Sequence, residues 1–149
     1  MAVIPQIPTN IRVHLGSPGS NAPTITLPFA DYIKNVASSE IYPTWDESAL
    51  RANILAIVSF ALNRVYTEFY RSRGYDFDIT NSTAFDQYFV NGRSFFDNIS
   101  QLVDEFFNDP RAYALVEWPE RVGNVIPDDA GKIFIRHLNE TEREISIDI

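Results

Sequence analysis

The sequence predicts an α+β fold in which a long buried central helix packs with shorter helices on a small antiparallel sheet. Residues 44–73 carry apolar side chains at helical spacing around nearly the whole circumference, which is typical of a buried helix. Short segments that alternate apolar and polar residues lie at 11–15 and 24–27, and again at 133–138 and 145–149. These pairs indicate a hairpin near each end of the chain.

Length and composition set the limits for the rest. The 149 residues suit one domain with one core, so we predict a single domain over 1–149, made of a part over 1–108 and a part over 109–149. A net charge of −8 argues against nucleic acid and against an anionic membrane, because phosphate binding needs a basic face. No apolar run approaches the roughly 20 residues of a membrane span. The N-terminus shows no signal-peptide pattern, so we expect a chain that is cytoplasmic as made.

Cofactor and metal chemistry are not expected. The chain has no cysteine and two histidines, His14 and His137, which lie far apart in sequence. A thiolate zinc site is therefore excluded, and a histidine-based metal site or a Ser-His-Asp triad is not predicted. We expect no cofactor and no metal.

The N-terminal hairpin and the first helix have clear boundaries. Turn-forming residues fill 16–23 (Gly-Ser-Pro-Gly-Ser-Asn-Ala-Pro) between the two predicted strands. No Gly-Lys-Ser/Thr follows them, so they indicate a turn rather than a phosphate-binding loop. A short helix is predicted over 28–39. Its apolar stripe consists of Phe29, Tyr32, Ile33 and Val36.

The central helix has signals at both ends. Pro43 breaks the preceding chain, and Thr44 with Glu47 fits the capping box, in which each side chain pairs with a backbone N–H of the first turn. Gly74, after two arginines, is a typical helix stop.

The following segments are less regular. Residues 75–79 alternate and predict a strand, and 84–90 fit either a short helix or a strand. A helix is predicted from an N-cap at Ser94 to about Asn108. Beyond it, 112–118 predicts a buried strand and 119–125 a short helix.

Glu40 is the candidate acid. It lies at the junction of two helices, beside Ile41, Tyr42 and Trp45. A carboxylate surrounded by apolar and aromatic groups is desolvated, which favours the protonated form that a general acid needs. From composition alone, an exposed loop carboxylate is the more common case.

Several motifs in one order resemble a known family. They are residues 31–43 (Asp-Tyr-Ile-Lys-Asn-Val-Ala-Ser-Ser-Glu-Ile-Tyr-Pro), 49–54 (Ala-Leu-Arg-Ala-Asn-Ile) and 75–83 (Tyr-Asp-Phe-Asp-Ile-Thr-Asn-Ser-Thr), followed by Gln87-Tyr88. Over about 24–108 the chain thereby resembles the SpoIID (stage II sporulation protein D) family of peptidoglycan lytic transglycosylases. It is most similar to a clostridial branch often described as peptidoglycan-binding.

The resemblance implies a role for Glu40. It would protonate the glycosidic oxygen between N-acetylmuramic acid and N-acetylglucosamine, and then help the muramic 6-hydroxyl to close an anhydro ring. Unlike ordinary glycoside hydrolysis, this reaction needs no second carboxylate. The predicted substrate-binding residues around it are Tyr42, Trp45, Thr83, Gln87 and Tyr88.

Two departures from the family pattern lower the expected activity. Pro43 stands one place later than the proline of the usual "Glu-x-Pro" junction. The Gly-x-Gly-x-Ser-Gln-x-Gly motif, which helps to build the family's substrate groove, is absent from this sequence. The resemblance therefore implies an incomplete or inactive version of a lytic transglycosylase, with peptidoglycan glycan strands as its partner.

The last part of the chain resembles a different family. Residues 109–122 (Asp-Pro-Arg-Ala-Tyr-Ala-Leu-Val-Glu-Trp-Pro-Glu-Arg-Val) resemble the TsaE ATPase of tRNA modification, which implies that Glu117 and Trp118 lie beside a nucleotide. However, Gly131-Lys132 lacks the earlier glycine and the hydroxyl residue of a phosphate loop, so ATP hydrolysis is not predicted. The switch between Asn108 and Asp109 suggests a mosaic chain, either engineered or recombined.

The amino-acid composition is also compatible with one alternative function. An acidic chain with truncated sites fits a non-catalytic interaction or inhibitor module that binds a protein partner, because acidic proteins can mimic nucleic acid toward basic partners. An accessory role in tRNA modification rests on the C-terminal resemblance alone.

Overall fold

A computed structural model describes residues 7–109 and 131–148 of the chain. These two stretches belong to two compact units. The predicted α+β class is confirmed, since the described residues form three α-helices, one sheet of three strands and one of two strands. The strand predicted over 112–118 and the helix predicted over 119–125 lie outside the described residues. The single domain over 1–149 stays a prediction.

The N-terminal hairpin is present as predicted. Strand β1 (Asn10–His14) pairs antiparallel with β2 (Thr24–Pro28), with Asn10 opposite Pro28. Strand β3 (Ile79–Thr80) adds to the other edge of β1 and runs parallel to it. Of the strand predicted over 75–79, only Ile79 belongs to β3, which continues one residue further to Thr80. The sheet of order β2-β1-β3 is mixed.

Helix α1 (Phe29–Glu40) follows β2 directly and contacts both strands of the hairpin and both other helices of its unit. Its predicted apolar stripe is confirmed, because every member of it is at most 1% exposed. The stripe consists of Phe29, Tyr32, Ile33 and Val36.

Helix α2 (Glu47–Tyr66) is shorter than predicted at its start. Its N-cap is Asp46, which makes no side-chain capping hydrogen bond, so the predicted capping box of Thr44 and Glu47 does not form. Instead the Glu47 carboxylate accepts a hydrogen bond from Arg51 at 2.8 Å. The helix is also less completely buried than its sequence suggests. It buries Leu50, Ile54, Ile57, Val58, Ala61 and Leu62, whereas Leu55 and Phe60 are exposed.

The end of α2 also falls before the predicted stop at residue 73. Glu68 takes a left-handed backbone conformation with φ of 48°, which interrupts the helix. A single 3₁₀ turn at Arg71–Arg73 follows, and Gly74 ends that turn with φ of 86°. The predicted glycine stop is therefore real, but it ends the short turn rather than α2.

Helix α3 (Asp97–Asn108) begins two residues later than predicted, with Phe96 rather than Ser94 at the N-cap. It buries Ile99, Leu102 and Val103 and contacts α1 and α2. Among the described residues of this unit, the core is contributed by β1, α1, α2, α3, β3, Ile41 and Phe89.

The C-terminal hairpin of the second unit is confirmed. Strand β4 (Lys132–His137) pairs antiparallel with β5 (Arg143–Asp148), with Lys132 opposite Asp148. Arg136 and Glu144 form a cross-strand ion pair at 2.7 Å. Within the residues that the structure describes, none of the helices has both the length and the hydrophobicity to cross a bilayer.

Candidate functional site

Glu40 is the last residue of α1, and its side chain is exposed. Its Oε1 accepts a hydrogen bond from the backbone N–H of Tyr88 at 2.8 Å. Ile41 is buried, but Tyr42 and Trp45 are 68% and 43% exposed. The prediction of a carboxylate enclosed by these three residues is therefore wrong.

The reason lies in the position of Glu40 on its helix. Glu40 follows Ile33 and Val36 at helical spacing, so it lies on the same face of α1. That face is buried at Ile33 and Val36, nearer the start of the helix. At the end of the helix, however, that face meets the backbone of Tyr88 instead of the core. The helical spacing places the carboxylate on the otherwise buried face of α1. Its surroundings depend on the segment around Tyr88, which crosses the end of the helix.

A tight turn carries two aromatic residues next to Glu40. The backbone N–H of Trp45 donates to the carbonyl of Tyr42 at 3.1 Å, and the two ring centroids are 6.0 Å apart at an interplanar angle of 53°. Asn98 Nδ2 donates to the Pro43 carbonyl at 2.8 Å, which ties the turn to α3. The turn therefore presents a pair of exposed rings from a fixed backbone.

Residues 86–90, which we call the strap, lie across α1 in neither helix nor strand. The helix or strand expected over 84–90 is not formed. The strap pairs with side chains rather than with a neighbouring strand: Tyr88 N–H donates to Glu40, and Val90 N–H donates to Asn35 Oδ1 at 2.9 Å. These bonds satisfy the backbone groups that a ladder would otherwise satisfy.

Asn35 joins α1 to the strap through two hydrogen bonds. Its amide also donates through Nδ2 to the Val90 carbonyl at 2.8 Å, so one side chain holds both backbone groups of one residue. The side chain is 3% exposed. This role was not predicted, although an asparagine inside an apolar helix face is a signal, since a buried amide needs partners.

Gln87 lies in the interior, 7% exposed. It accepts a hydrogen bond from the Tyr32 hydroxyl at 3.0 Å and donates to the Ile57 carbonyl at 3.0 Å. Phe89 stacks on the Tyr32 ring with centroids 5.6 Å apart. Burial raises the pKa of the Tyr32 phenol well above its ordinary value, and the negative charges of Asp86 and Glu40 add to the rise. Gln87 thus joins α1, α2 and the strap.

Asp86 is the carboxylate of the strap, and its side chain is 0% exposed. Its Oδ1 accepts from Arg64 Nε at 2.8 Å. Its Oδ2 accepts from the Tyr70 hydroxyl at 2.5 Å and from both the backbone N–H and the hydroxyl of Thr80. Burial and the bond to Asp86 raise the pKa of Tyr70 well above its ordinary value. Sequence reasoning did not single out this residue.

The structure therefore separates the predicted site residues into two groups. Glu40, Tyr42, Trp45 and Tyr88 are exposed. A hydrogen bond joins Glu40 to the Tyr88 backbone, and a separate ring contact joins Tyr42 to Trp45. Thr83 is exposed in the turn before the strap. Gln87, by contrast, is buried. Over 7–109 and 131–148, no group of three or more potential metal ligands occurs.

Comparison with known proteins gives one match. The family model described as "SpoIID: Stage II sporulation protein" matches residues 19–105, which include α1, α2, the strap and most of α3. The comparison with curated proteins and the comparison with solved structures each found no match. The TsaE-like resemblance of residues 109–149 has no support in these comparisons and stays a hypothesis.

Proposed function

This chain belongs to the stage II sporulation protein (SpoIID) family, and from this premise we propose that it binds peptidoglycan glycan strands around Glu40 without cleaving them. Family membership points to a role connected with sporulation and peptidoglycan. The alternative function, an acidic module that binds and inhibits a protein partner, is supported mainly by the net charge of the chain. The family match does not favour it.

One observation carries the proposal: an exposed carboxylate accepts the backbone N–H of Tyr88, whose ring is exposed, and belongs to the same short segment as the exposed rings of Tyr42 and Trp45. A sugar ring has an apolar C–H face and an edge of hydroxyl donors. The rings of Tyr42, Trp45 and Tyr88, which are 43–68% exposed, suit the apolar face. The Glu40 carboxylate suits the hydroxyl edge, because a charged acceptor makes the stronger hydrogen bonds.

The environment of Glu40 supports binding rather than cleavage. A general acid must deliver its proton to the glycosidic oxygen, and sites for such chemistry exclude water. Glu40 is exposed, and its Oε1 already accepts the Tyr88 N–H. The sequence also lacks the Gly-x-Gly-x-Ser-Gln-x-Gly motif of the family's groove. In this proposal the carboxylate acts as a hydrogen-bond acceptor for sugar hydroxyls.

The other predicted residues take different parts in the proposal. Tyr42, Trp45 and Tyr88 contact the glycan, and Thr83 extends the surface on the side of the turn before the strap. Gln87 is a positioning residue, because its buried amide fixes the strap through Tyr32 and Ile57.

Sedimentation with purified peptidoglycan tests the proposal. The full chain should pellet with the polymer and release no anhydro-muropeptides. Glu40→Gln should weaken binding by about threefold to tenfold, the difference between a charged and a neutral hydrogen bond. This variant keeps an oxygen that can accept the Tyr88 N–H, so its fold should be intact.

Glu68→Gln is the matched control. It makes the same change in charge at an exposed residue beyond the far end of α2, whose 20 residues span about 30 Å, and it should bind like the wild type. Equal binding by both variants, or no binding by the wild type, would contradict the proposed surface. Release of anhydro-muropeptides by the wild type, lost only in Glu40→Gln, would show cleavage and overturn the non-catalytic part.

A further inference from the structure

The turn that follows the strap consists of Val90, Asn91, Gly92 and Arg93. The backbone N–H of Arg93 donates to the Val90 carbonyl at 3.1 Å, and Gly92 takes a left-handed backbone conformation with φ of 79°. This is a β-turn with glycine at the position that needs a positive φ. Asn91 and Gly92 are both exposed. The turn therefore places the one Asn-Gly pair of the sequence at the protein surface.

The backbone nitrogen of Gly92 is open to reaction. A backbone nitrogen can attack the side-chain amide of the preceding asparagine, because the attack closes a five-membered ring. The nitrogen must be free and unhindered, and glycine has no Cβ to hinder it. Among the residues that the structure describes, none accepts the Gly92 N–H and none pairs with the Asn91 amide. Within the same described ranges, a Cβ built on Gly92 would meet no atom beyond its chain neighbours within 4 Å.

A second asparagine shows the opposite arrangement. Asn81 also precedes a small residue, Ser82, but it is half-buried. Its own N–H donates to the His14 carbonyl at 2.9 Å. The Ser82 N–H, which would have to attack the Asn81 amide, donates to Thr80 Oγ1 at 3.3 Å. The fold therefore engages the attacking nitrogen at Asn81 and leaves it free at Asn91.

We propose that Asn91 is a site of spontaneous deamidation in the folded protein, and that its main product, isoaspartate, loosens the end of the strap. The Gly92 nitrogen forms a bond to Asn91 Cγ, the Cγ–Nδ2 bond breaks, and the Gly92 proton leaves with the side-chain nitrogen as ammonia. Water then opens the resulting succinimide. Opening at the main-chain carbonyl gives isoaspartate, and opening at the side-chain carbonyl gives aspartate.

The product changes the backbone where the strap is anchored. Isoaspartate adds one methylene group to the main chain directly after Val90. Asn35 holds the Val90 N–H at 2.9 Å and its carbonyl at 2.8 Å, and the same carbonyl closes the turn to Arg93. A longer main chain moves the Arg93 N–H away from that carbonyl. The turn then no longer fixes Val90 against Asn35.

Mass spectrometry tests the site with an internal control. Trypsin cleaves after Arg73 and Arg93, so a single peptide, 74–93, contains both Asn81 and Asn91. The deamidation rate of each is measured in the native chain and in the chain unfolded in guanidinium chloride. Folding should leave the Asn91 rate within about threefold of its unfolded value, but should slow Asn81 about tenfold or more, because that site reacts only after local opening. Equal slowing at the two sites, or no deamidation of Asn91, would overturn the site.

Amide hydrogen exchange tests the effect on the strap. In wild-type chain aged until Asn91 has reacted, the Val90 N–H should exchange about tenfold faster than in fresh chain. Asn91→Asp carries the new charge without the extra methylene group, and it should exchange like the fresh chain. Asn91→Gln, in which a larger ring would have to close, should be unchanged by the same ageing. Unchanged exchange in the aged wild type, or aspartate as its main product, would overturn the loosening of the strap.

Discussion

Two carboxylates hold the strap, Asp86 within it and Glu40 across from it on α1, and their environments are opposite. Asp86 is 0% exposed and accepts hydrogen bonds from Arg64, Tyr70 and Thr80. Glu40 is exposed and accepts from the Tyr88 backbone. The difference teaches that burial decides whether a carboxylate near this backbone segment is surrounded by protein donors or remains open to solvent. The enclosed one fixes the strap, and the exposed one stays accessible to a ligand.

The largest expected effect is at the enclosed carboxylate. Asp86→Ala leaves the Arg64 guanidinium, the Tyr70 hydroxyl and the donors of Thr80 without their acceptor. Removing one partner of a buried ion pair is strongly destabilising, so we expect a loss of about 3 kcal/mol in the free energy of unfolding, measured by urea denaturation.

Asp76→Ala is the control for this variant. Asp76 also pairs with an arginine, at 2.7 Å from Arg12, but its side chain is 81% exposed. Exposed ion pairs contribute about 1 kcal/mol or less, and the loss should stay below that value. Similar losses for Asp76→Ala and Asp86→Ala would remove the basis of the comparison.

The second effect concerns the far end of the strap. Asn35→Ala deletes both hydrogen bonds to Val90 and removes the acceptor of its N–H, while the Val90 carbonyl keeps the Arg93 N–H. The change should cost about 2 kcal/mol in urea denaturation. Asn53→Ala is the control, because the Asn53 amide donates only to the Ala49 carbonyl of its own helix. If the two alanine variants are equally stable, the Asn35 pairing does not hold the strap.

The third effect is a dependence on alkaline pH. The folded-state pKa values of Tyr32 and Tyr70 lie above the ordinary value of 10.0. Below pH 10 both the folded and the unfolded states keep these protons, so the pair causes no pH dependence. Above pH 10 the unfolded chain releases its protons first, and stability falls. Between pH 9 and pH 11 we expect a loss of about 1 kcal/mol for each of these tyrosines.

Tyr70→Phe identifies the source of the alkaline effect. The variant should begin with lower stability, because the bond to Asp86 is gone, but its stability should decline less steeply with pH. Tyr42→Phe changes an exposed ring and should keep the wild-type slope. An unchanged slope in Tyr70→Phe would show that the enclosed end of the strap does not cause the alkaline loss.

The smallest effect on stability is at the exposed carboxylate. Glu40→Gln keeps an acceptor for the Tyr88 N–H and should change the free energy of unfolding by about 0.5 kcal/mol or less. The same substitution should change the free energy of peptidoglycan binding by more than it changes the free energy of unfolding. A loss of stability close to that of Asp86→Ala would mean that Glu40, too, is structural.

The sequence by itself determined the elements with local signals. Periodicity indicated α1 and its buried stripe, and alternation with turn residues indicated both hairpins. The ordered motifs around Glu40 and Tyr88 indicated the SpoIID family, which the match over 19–105 confirms. These features depend on neighbours a few residues apart, so a single sequence carries them.

Tertiary structure alone decided which side chains of the candidate site are accessible. Glu40 and Tyr88 are 48 positions apart, and Asn35 and Val90 are 55 positions apart. No local pattern reports such contacts, because burial depends on what the rest of the chain places over a residue. For that reason Glu40 is exposed where enclosure was expected, Gln87 is buried where substrate contact was expected, and Asp86 emerged only from the fold.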